Sequence, residues 1–150
     1  GLHLIGKDLS KVKIVASGAG AAALACLDLL VLLGAPVENI WVTDIHGLVY
    51  QGRVEEMDEI KARYAKASEM RSLGEVIADA DVFLGLSAGG VLKPEMVQKM
   101  AARPLIMALA NPRPEILPEE VVLENLDSEF IVAEGDYESI RKYLTENPEE

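Results

Sequence analysis

Cysteine is nearly absent from this chain, basic residues are few, and no apolar run is long enough to cross a bilayer. Each shortage excludes something. Cys26 is the only cysteine, so neither an internal disulfide nor a cysteine metal cluster can form, which fits a reducing, cytoplasmic compartment. Its place on an apolar helical stretch reads as an inert core thiol. Lysine and arginine number 14 against 25 aspartates and glutamates, a formal net charge of −11. Nucleic acid and anionic membrane surfaces both call for basic patches, so neither is an expected partner. The longest apolar run, Ala21 to Val37, is interrupted by Asp28 and Gly34 and is too short for a membrane span. No signal-peptide pattern opens the chain. The two histidines, His3 and His46, lack partners at metal-ligand spacing and read as surface residues. No catalytic dyad or triad is visible.

What remains is a chain of 150 residues, half of them hydrophobic, enough for one domain around one core. Apolar segments of strand length alternate with helical ones. Val12–Ala16 reads as a buried strand, and Gly20–Leu33 as a helix with Gly34 at its C-terminal cap. Ile40–Thr43 is a second strand, closed by Asp44. Val54–Lys66 reads as an exposed helix whose acids Glu55, Glu56, Asp58 and Glu59 face solvent. Ser72 with Glu75 matches a capping box for a short helix through Ala78. Val82–Leu86 is a third strand and Lys93–Ala101 a helix with Pro94 in its first turn. Leu105–Leu109 is a fourth strand, Glu129–Val132 a fifth, Tyr137–Thr145 a terminal helix and Asn147–Glu150 an acidic tail. This alternation predicts a Rossmann-type, doubly wound parallel sheet in a three-layer αβα sandwich. Right-handed crossovers then bring Gly18, Asp44, Ser87 and Asn111 to one rim of the sheet.

The most informative stretch is Lys13 to Ala23. Gly18, Gly20 and Ala23 stand at the spacing G-x-G-x-x-[G/A] between a strand and a helix. The first glycine permits a tight turn, the second lets a pyrophosphate approach the backbone, and the third small residue lets helix and strand pack closely. The free N–H groups at the helix start then face the phosphates. Gly18, Ala19, Gly20, Ala21 and Ala22 are therefore candidate phosphate contacts. Asp44 ends the second strand, a little beyond the usual distance of about 20 residues after such a motif. Its carboxylate can accept hydrogen bonds from the adenosine ribose, with Ile45 beside it; the alternative is a cap on the turn into Gly47. An acid there disfavours a 2′-phosphate, but Arg53 or protonated His46 can offset the repulsion, so NAD and NADP both stay open. Ser87 and Ala88, in the run Gly85 to Gly90, either line the cofactor or form a plain turn. The spacing is not G-x-S-x-G, which argues against Ser87 as a nucleophile. Asn111, stiffened by Pro112 and Pro114, is either a ligand-holding amide or the start of a turn.

In this order the motifs resemble the malic enzyme family in its bacterial form. The matching segments are Ser17 to Ala23, Asp44 to Arg53, Phe83 to Leu92 and Ala108 to Pro112. The stretches Gly47 to Arg53 and Ala108 to Pro112 are the specific ones, and the resemblance covers roughly residues 1–120. It implies a cofactor-binding domain over residues 1–150, with an atypical end over residues 136–150. For the parent enzyme it implies oxidative decarboxylation of malate to pyruvate and CO₂, with NAD or NADP and Mg or Mn. The family's catalytic Tyr and Lys and its acidic metal ligands lie upstream of the segment that matches residue 1, and no residue here can be assigned to them. Its Asn-rich segment after the fifth strand is replaced by Glu134 to Ser139, where only Asp136 and Tyr137 survive. The isolated chain is thus expected to bind a dinucleotide without turning over malate, and to self-associate through apolar surface. Two other readings of the residues remain: another amino-acid-dehydrogenase-like Rossmann domain, such as that of a glutamate or methylene-tetrahydrofolate enzyme, or a non-catalytic nucleotide-binding module.

Overall fold

The computed structural model describes residues 1–124 and 131–134, with side chains through Val121. Its strands are β1 (Ile14–Ser17), β2 (Ile40–Asp44), β3 (Gly47–Leu48), β4 (Val82–Gly85), β5 (Leu105–Ala108) and β6 (Ile131–Glu134). They form one sheet in the order β3-β2-β1-β4-β5-β6. This is the doubly wound order whose switch point lies between β1 and β4. Every neighbouring pair is parallel except β2 and β3, in which Asp44 faces Gly47 across an antiparallel edge. The wholly parallel sheet expected from the sequence thus gains a hairpin at one end. The tight reversal after Asp44 is made possible by Gly47, whose φ is +84°.

The strands read as continuous apolar runs because both faces are covered. Alternate residues feed two cores. Ile14, Ala16, Val42, Leu84 and Leu105 pack with Leu24 and Leu27 of helix α1 (Ala21–Leu32) and with Tyr64 on one face. On the other face, Val15, Phe83 and Ile106 pack against helices α3 (Leu73–Val76) and α4 (Pro94–Val97). Full burial of a side chain such as Phe83 or Ile106 contributes about 1.5–3 kcal/mol. The alternation period of two is what sorts the residues to the two faces.

Helix α1 ends in a Schellman motif. Gly34, at φ +115°, donates to Val31 and Ala35 donates to Leu30. Its solvent side keeps Leu29, Leu32 and Leu33 exposed. Cys26 is on that side too, so it is an exposed thiol and not the core residue expected. An Ala/Leu helix has no polar face to show which side will be covered.

Several helices are shorter than their sequence pattern suggests. The Val54–Lys66 helix shrinks to α2 (Glu59–Ala62). Glu56 takes a left-handed φ of +47°, and Asp58 caps α2 by accepting the N–H groups of Ile60 and Lys61 at 2.9 and 2.8 Å. The acids Glu55, Glu56, Asp58 and Glu59 are exposed as anticipated. Beyond α4, Lys99 and Met100 still donate to Met96 O and Val97 O in tight turns, and only Ala101 turns to a tertiary partner, Ala80 O at 3.0 Å. In α3 the Glu75 carboxylate reaches back to the Ser72 N–H at 2.8 Å, the expected half of a capping box. Helix α5 (Pro118–Glu124) was not anticipated, although Pro118 followed by Glu119 and Glu120 is a start signal. The last strand is described over Ile131–Glu134; Glu129 and Phe130, the expected start of the Glu129–Val132 strand, lie outside the described residues. So do the terminal helix and tail expected over 137–150.

Candidate functional site

The ends of β2, β1, β4 and β5 finish in line, because Thr43, Ser17, Gly85 and Ala108 share register. The residues that follow them form one rim, and the main chain ties them together there. Gly18 donates to Thr43 O at 2.8 Å, Leu86 to Ser17 O at 2.8 Å and Leu109 to Gly85 O at 3.0 Å. The hydroxyls of Ser17 and Ser87 lie 2.8 Å apart.

The two glycines of the turn serve different ends. Gly18 has φ +110°, and a Cβ on it would lie 2.5 Å from the Leu86 carbonyl oxygen. It is glycine because the backbone needs it. Gly20 has φ −76° and ψ 175°, ordinary extended geometry, and a Cβ there would meet nothing within 4 Å. Neither strain nor crowding inside the protein requires a glycine at this position. Gly20 is the N-cap of α1, with no capping side chain and no acid in the first turn. Leu24 donates the first helical hydrogen bond, to Gly20 O, which leaves the N–H groups of Ala21, Ala22 and Ala23 ahead of the ladder. Ala21 and Ala22 are exposed, Ala19 is half-buried, and Ala23 is packed against the sheet. Open space beside Gly20, free N–H groups and the positive end of a 12-residue helix together suit a phosphate.

At the neighbouring strand end, Asp44 is held by more partners than the sequence suggests. Oδ1 accepts from the His46 N–H and from Arg53 Nη1, both at 2.9 Å. Oδ2 accepts from Arg53 Nη2 at 2.5 Å and from Lys61 Nζ at 3.1 Å. The carboxylate's roughly four lone-pair sites are thereby filled. Burial by itself would raise its pKa. The hydrogen bonds from Arg53, Lys61 and the His46 amide outweigh that and bring it down to about 2. Arg53 and Lys61 are nearly inaccessible, at 1% and 7% side-chain exposure. The burial of Lys61 contradicts the reading of Val54–Lys66 as an exposed helix. Arg53 Nε is buried without a partner. One carboxylate thus faces two buried cations. His46 is turned away towards Glu56, at 3.7 Å.

Ile45 follows Asp44, Val54 follows Arg53 and Ile60 precedes Lys61, and all are exposed, at 87%, 84% and 51%. On the other side of the switch point, Ser87, Ala88 and Asn111 are exposed. One buried acid the sequence reading passed over, Glu115, lies beneath them and accepts the Ser87 N–H at 2.9 Å. A lone acid beside Ile116 and Leu117 carries no local sign of burial. Among the described residues, no group of three or more His, Cys, Asp or Glu stands together to hold a metal ion, and no helix is long and apolar enough to cross a membrane.

A doubly wound sheet with an open glycine turn at its switch point defines a dinucleotide-binding class of fold. Residues 1–138 match the family model described as malic enzyme, NAD binding domain. The chain belongs to the malic enzyme family. It is 61% identical over 137 residues to the NAD-dependent malic enzyme of Rhizobium meliloti (strain 1021), covering 91% of this chain and 18% of that protein. Against the NADP-dependent malic enzyme of Escherichia coli (strain K12) it is 49% identical over 138 residues, with the same two coverages. The crystal structure of the NAD-dependent malic enzyme from Thermotoga maritima matches with a TM-score of 0.79 at 35% identity, over 91% of this chain and 36% of that one. The fold extends further: a glutamyl-tRNA reductase from Methanopyrus kandleri shares it at 20% identity and a TM-score of 0.59. The chain spans less than a fifth of the length of these two curated relatives. The family match decides against the other dehydrogenase families that the residues alone left open.

Proposed function

We propose that this chain binds NAD or NADP across the strand-end rim, as the cofactor-binding part of an enzyme that oxidatively decarboxylates malate to pyruvate and CO₂. The observation that carries this reading is Gly20, a glycine with no conformational or packing reason to be one, at the uncapped start of α1. The pyrophosphate lies against Gly18 to Ala22. The adenosine half lies over Asp44, where Ile45, Val54 and Ile60 offer apolar surface to a base. The other half crosses the switch point towards Ser87, Ala88 and Asn111. A bound dinucleotide supplies a hydride acceptor.

For Asp44 to take a ribose hydroxyl, one of its hydrogen bonds must exchange. The 3.1 Å bond from Lys61 is the longest of the four. In this reading the hydroxyl replaces Lys61 at Oδ2, and the released ammonium becomes available to a 2′-phosphate. The proton transfers and the Mg²⁺ or Mn²⁺ site of the parent belong to polypeptide outside this chain. The apolar end of α1 at Leu29, Leu32 and Leu33 is the surface through which the chain self-associates.

Calorimetric titration of the purified chain with NAD and with NADP tests the reading. Saturable binding of either supports it; no heat from either at millimolar ligand overturns it.

A further inference from the structure

Glu115 has no exposed surface, and the site as described makes no use of it. Its carboxylate lies between the loops that leave β4 and β5. Oε1 accepts the Ser87 N–H at 2.9 Å, with the Ser87 hydroxyl 3.5 Å away, and Oε2 accepts the Ala110 N–H at 3.1 Å. One side chain therefore holds a backbone amide from each loop. The main chain adds two more ties between them: Gly90 donates to Pro114 O at 3.0 Å and Leu92 to Glu115 O at 3.1 Å. Through the Ser17–Ser87 hydroxyl contact of 2.8 Å the connection reaches the end of β1, beside Gly18.

The surroundings are shaped for this carboxylate. Gly85 lies so close to it that any Cβ would overlap Glu115, and a Cβ on Gly89 would lie 2.8 Å from Arg113. None of the ion pairs seen between described residues involves Glu115. A buried acid without a counter-charge is costly, and an apolar side chain would fill the same space at lower cost. What the apolar side chain lacks is a pair of acceptors spaced to hold two amides. Both amides belong to loops whose next exposed residues are the cofactor candidates Ser87, Ala88 and Asn111.

We propose that Glu115 is the positioning residue of the dinucleotide site: it clamps the β4 and β5 loops in one arrangement that receives the half of the dinucleotide beyond the pyrophosphate. This rests on the binding reading above. It predicts a split that a merely structural residue would not produce. ADP carries the adenosine and pyrophosphate, which meet other loops, whereas NAD adds the half that meets these two.

The test uses Glu115→Gln, in which the amide NH₂ opposes one of the two backbone donors, and Glu115→Met, which fills the space without acceptors. Amide hydrogen exchange on the ligand-free chain is the first arm. Ser87 and Ala110 are expected to be protected in the native protein and to exchange at least about tenfold faster in the variants, with β1, β4 and β5 unchanged. The second arm is binding. NAD affinity is expected to fall about tenfold or more, the equivalent of about 1.4 kcal/mol, while ADP affinity stays within about twofold. Equal losses for ADP and NAD, unchanged NAD affinity, or failure of both variants to fold would each overturn the assignment in favour of a structural role. If the native chain binds neither ligand, the binding reading falls and the positioning role falls with it; the exchange arm then still reports whether the clamp exists.

Discussion

The two glycines of the turn should part company when each is given a side chain. In Gly18→Ala the new methyl meets the Leu86 carbonyl at 2.5 Å, in a backbone held at φ +110°. Leu86 cannot easily retreat, because its own N–H is bonded to Ser17 O at 2.8 Å. Left-handed strain and overlap together cost about 3 kcal/mol. For a chain of this size that lowers Tm by about 6–12 °C. In Gly20→Val the side chain enters open space from an extended backbone that valine adopts readily. A poorer N-cap loses some tenths of a kcal/mol, and the stiffer unfolded chain returns a similar amount, so stability should stay within about 1 kcal/mol of the native value. Binding should behave otherwise. The valine occupies the phosphate's approach and forfeits about two charge-assisted hydrogen bonds, at about 1.5–3 kcal/mol each. A loss of at least about 100-fold in dinucleotide affinity follows. Thermal unfolding and calorimetric titration of both variants decide the matter. A Gly20→Val protein that melts like the native chain and still binds NAD undiminished would place the phosphates elsewhere and refute the reasoning.

Other outcomes follow from the same geometry. Asp44→Asn leaves Arg53 and Lys61 buried without their counter-charge and should cost about 3–5 kcal/mol in urea unfolding at neutral pH, where a loss under about 1 kcal/mol would show the triad to be incidental. Because the Asp44 pKa falls from 3.8 to about 2 on folding, its ionised form stabilises the native state above about pH 4, and that contribution disappears as pH drops towards 2. The acid limb of a stability–pH curve should therefore be shallower in Asp44→Asn, and identical limbs would contradict the shift. Lys61→Ala should weaken NADP more than NAD, since the cation available to a 2′-phosphate is gone; equal weakening would confine Lys61 to a structural part. With malate, Mn²⁺ and either cofactor, the 150-residue chain should show no turnover in a coupled assay, and measurable turnover would reveal an acid–base pair within it. Leu32→Glu should reduce self-association in sedimentation velocity without changing Tm, and an unchanged sedimentation profile would remove α1 from the interface.

The sequence by itself determined the alternation of strands and helices, the glycine turn with its helix, the capped end at Gly34 and the rim on which Gly18, Asp44, Ser87 and Asn111 gather. These follow from local chemistry: apolar periodicity, glycine's freedom at positive φ, and the handedness of parallel crossovers, all of which act over a few residues or over the whole topology at once. Only the tertiary structure decided which charges go inside. Lys61 reads as a member of an exposed helix and Arg53 as a charge free to meet a phosphate, yet Asp44, 17 and 9 residues earlier, draws both inward. Glu115 reads as one more surface acid, yet it reaches Ser87, 28 residues before it. A buried charge is tolerated where partners distant in sequence satisfy it, and nothing in its own neighbourhood records who those partners are. The same holds for Gly20. Its spacing marks it in the sequence, but only the empty space around it shows that neither conformation nor packing demands a glycine there.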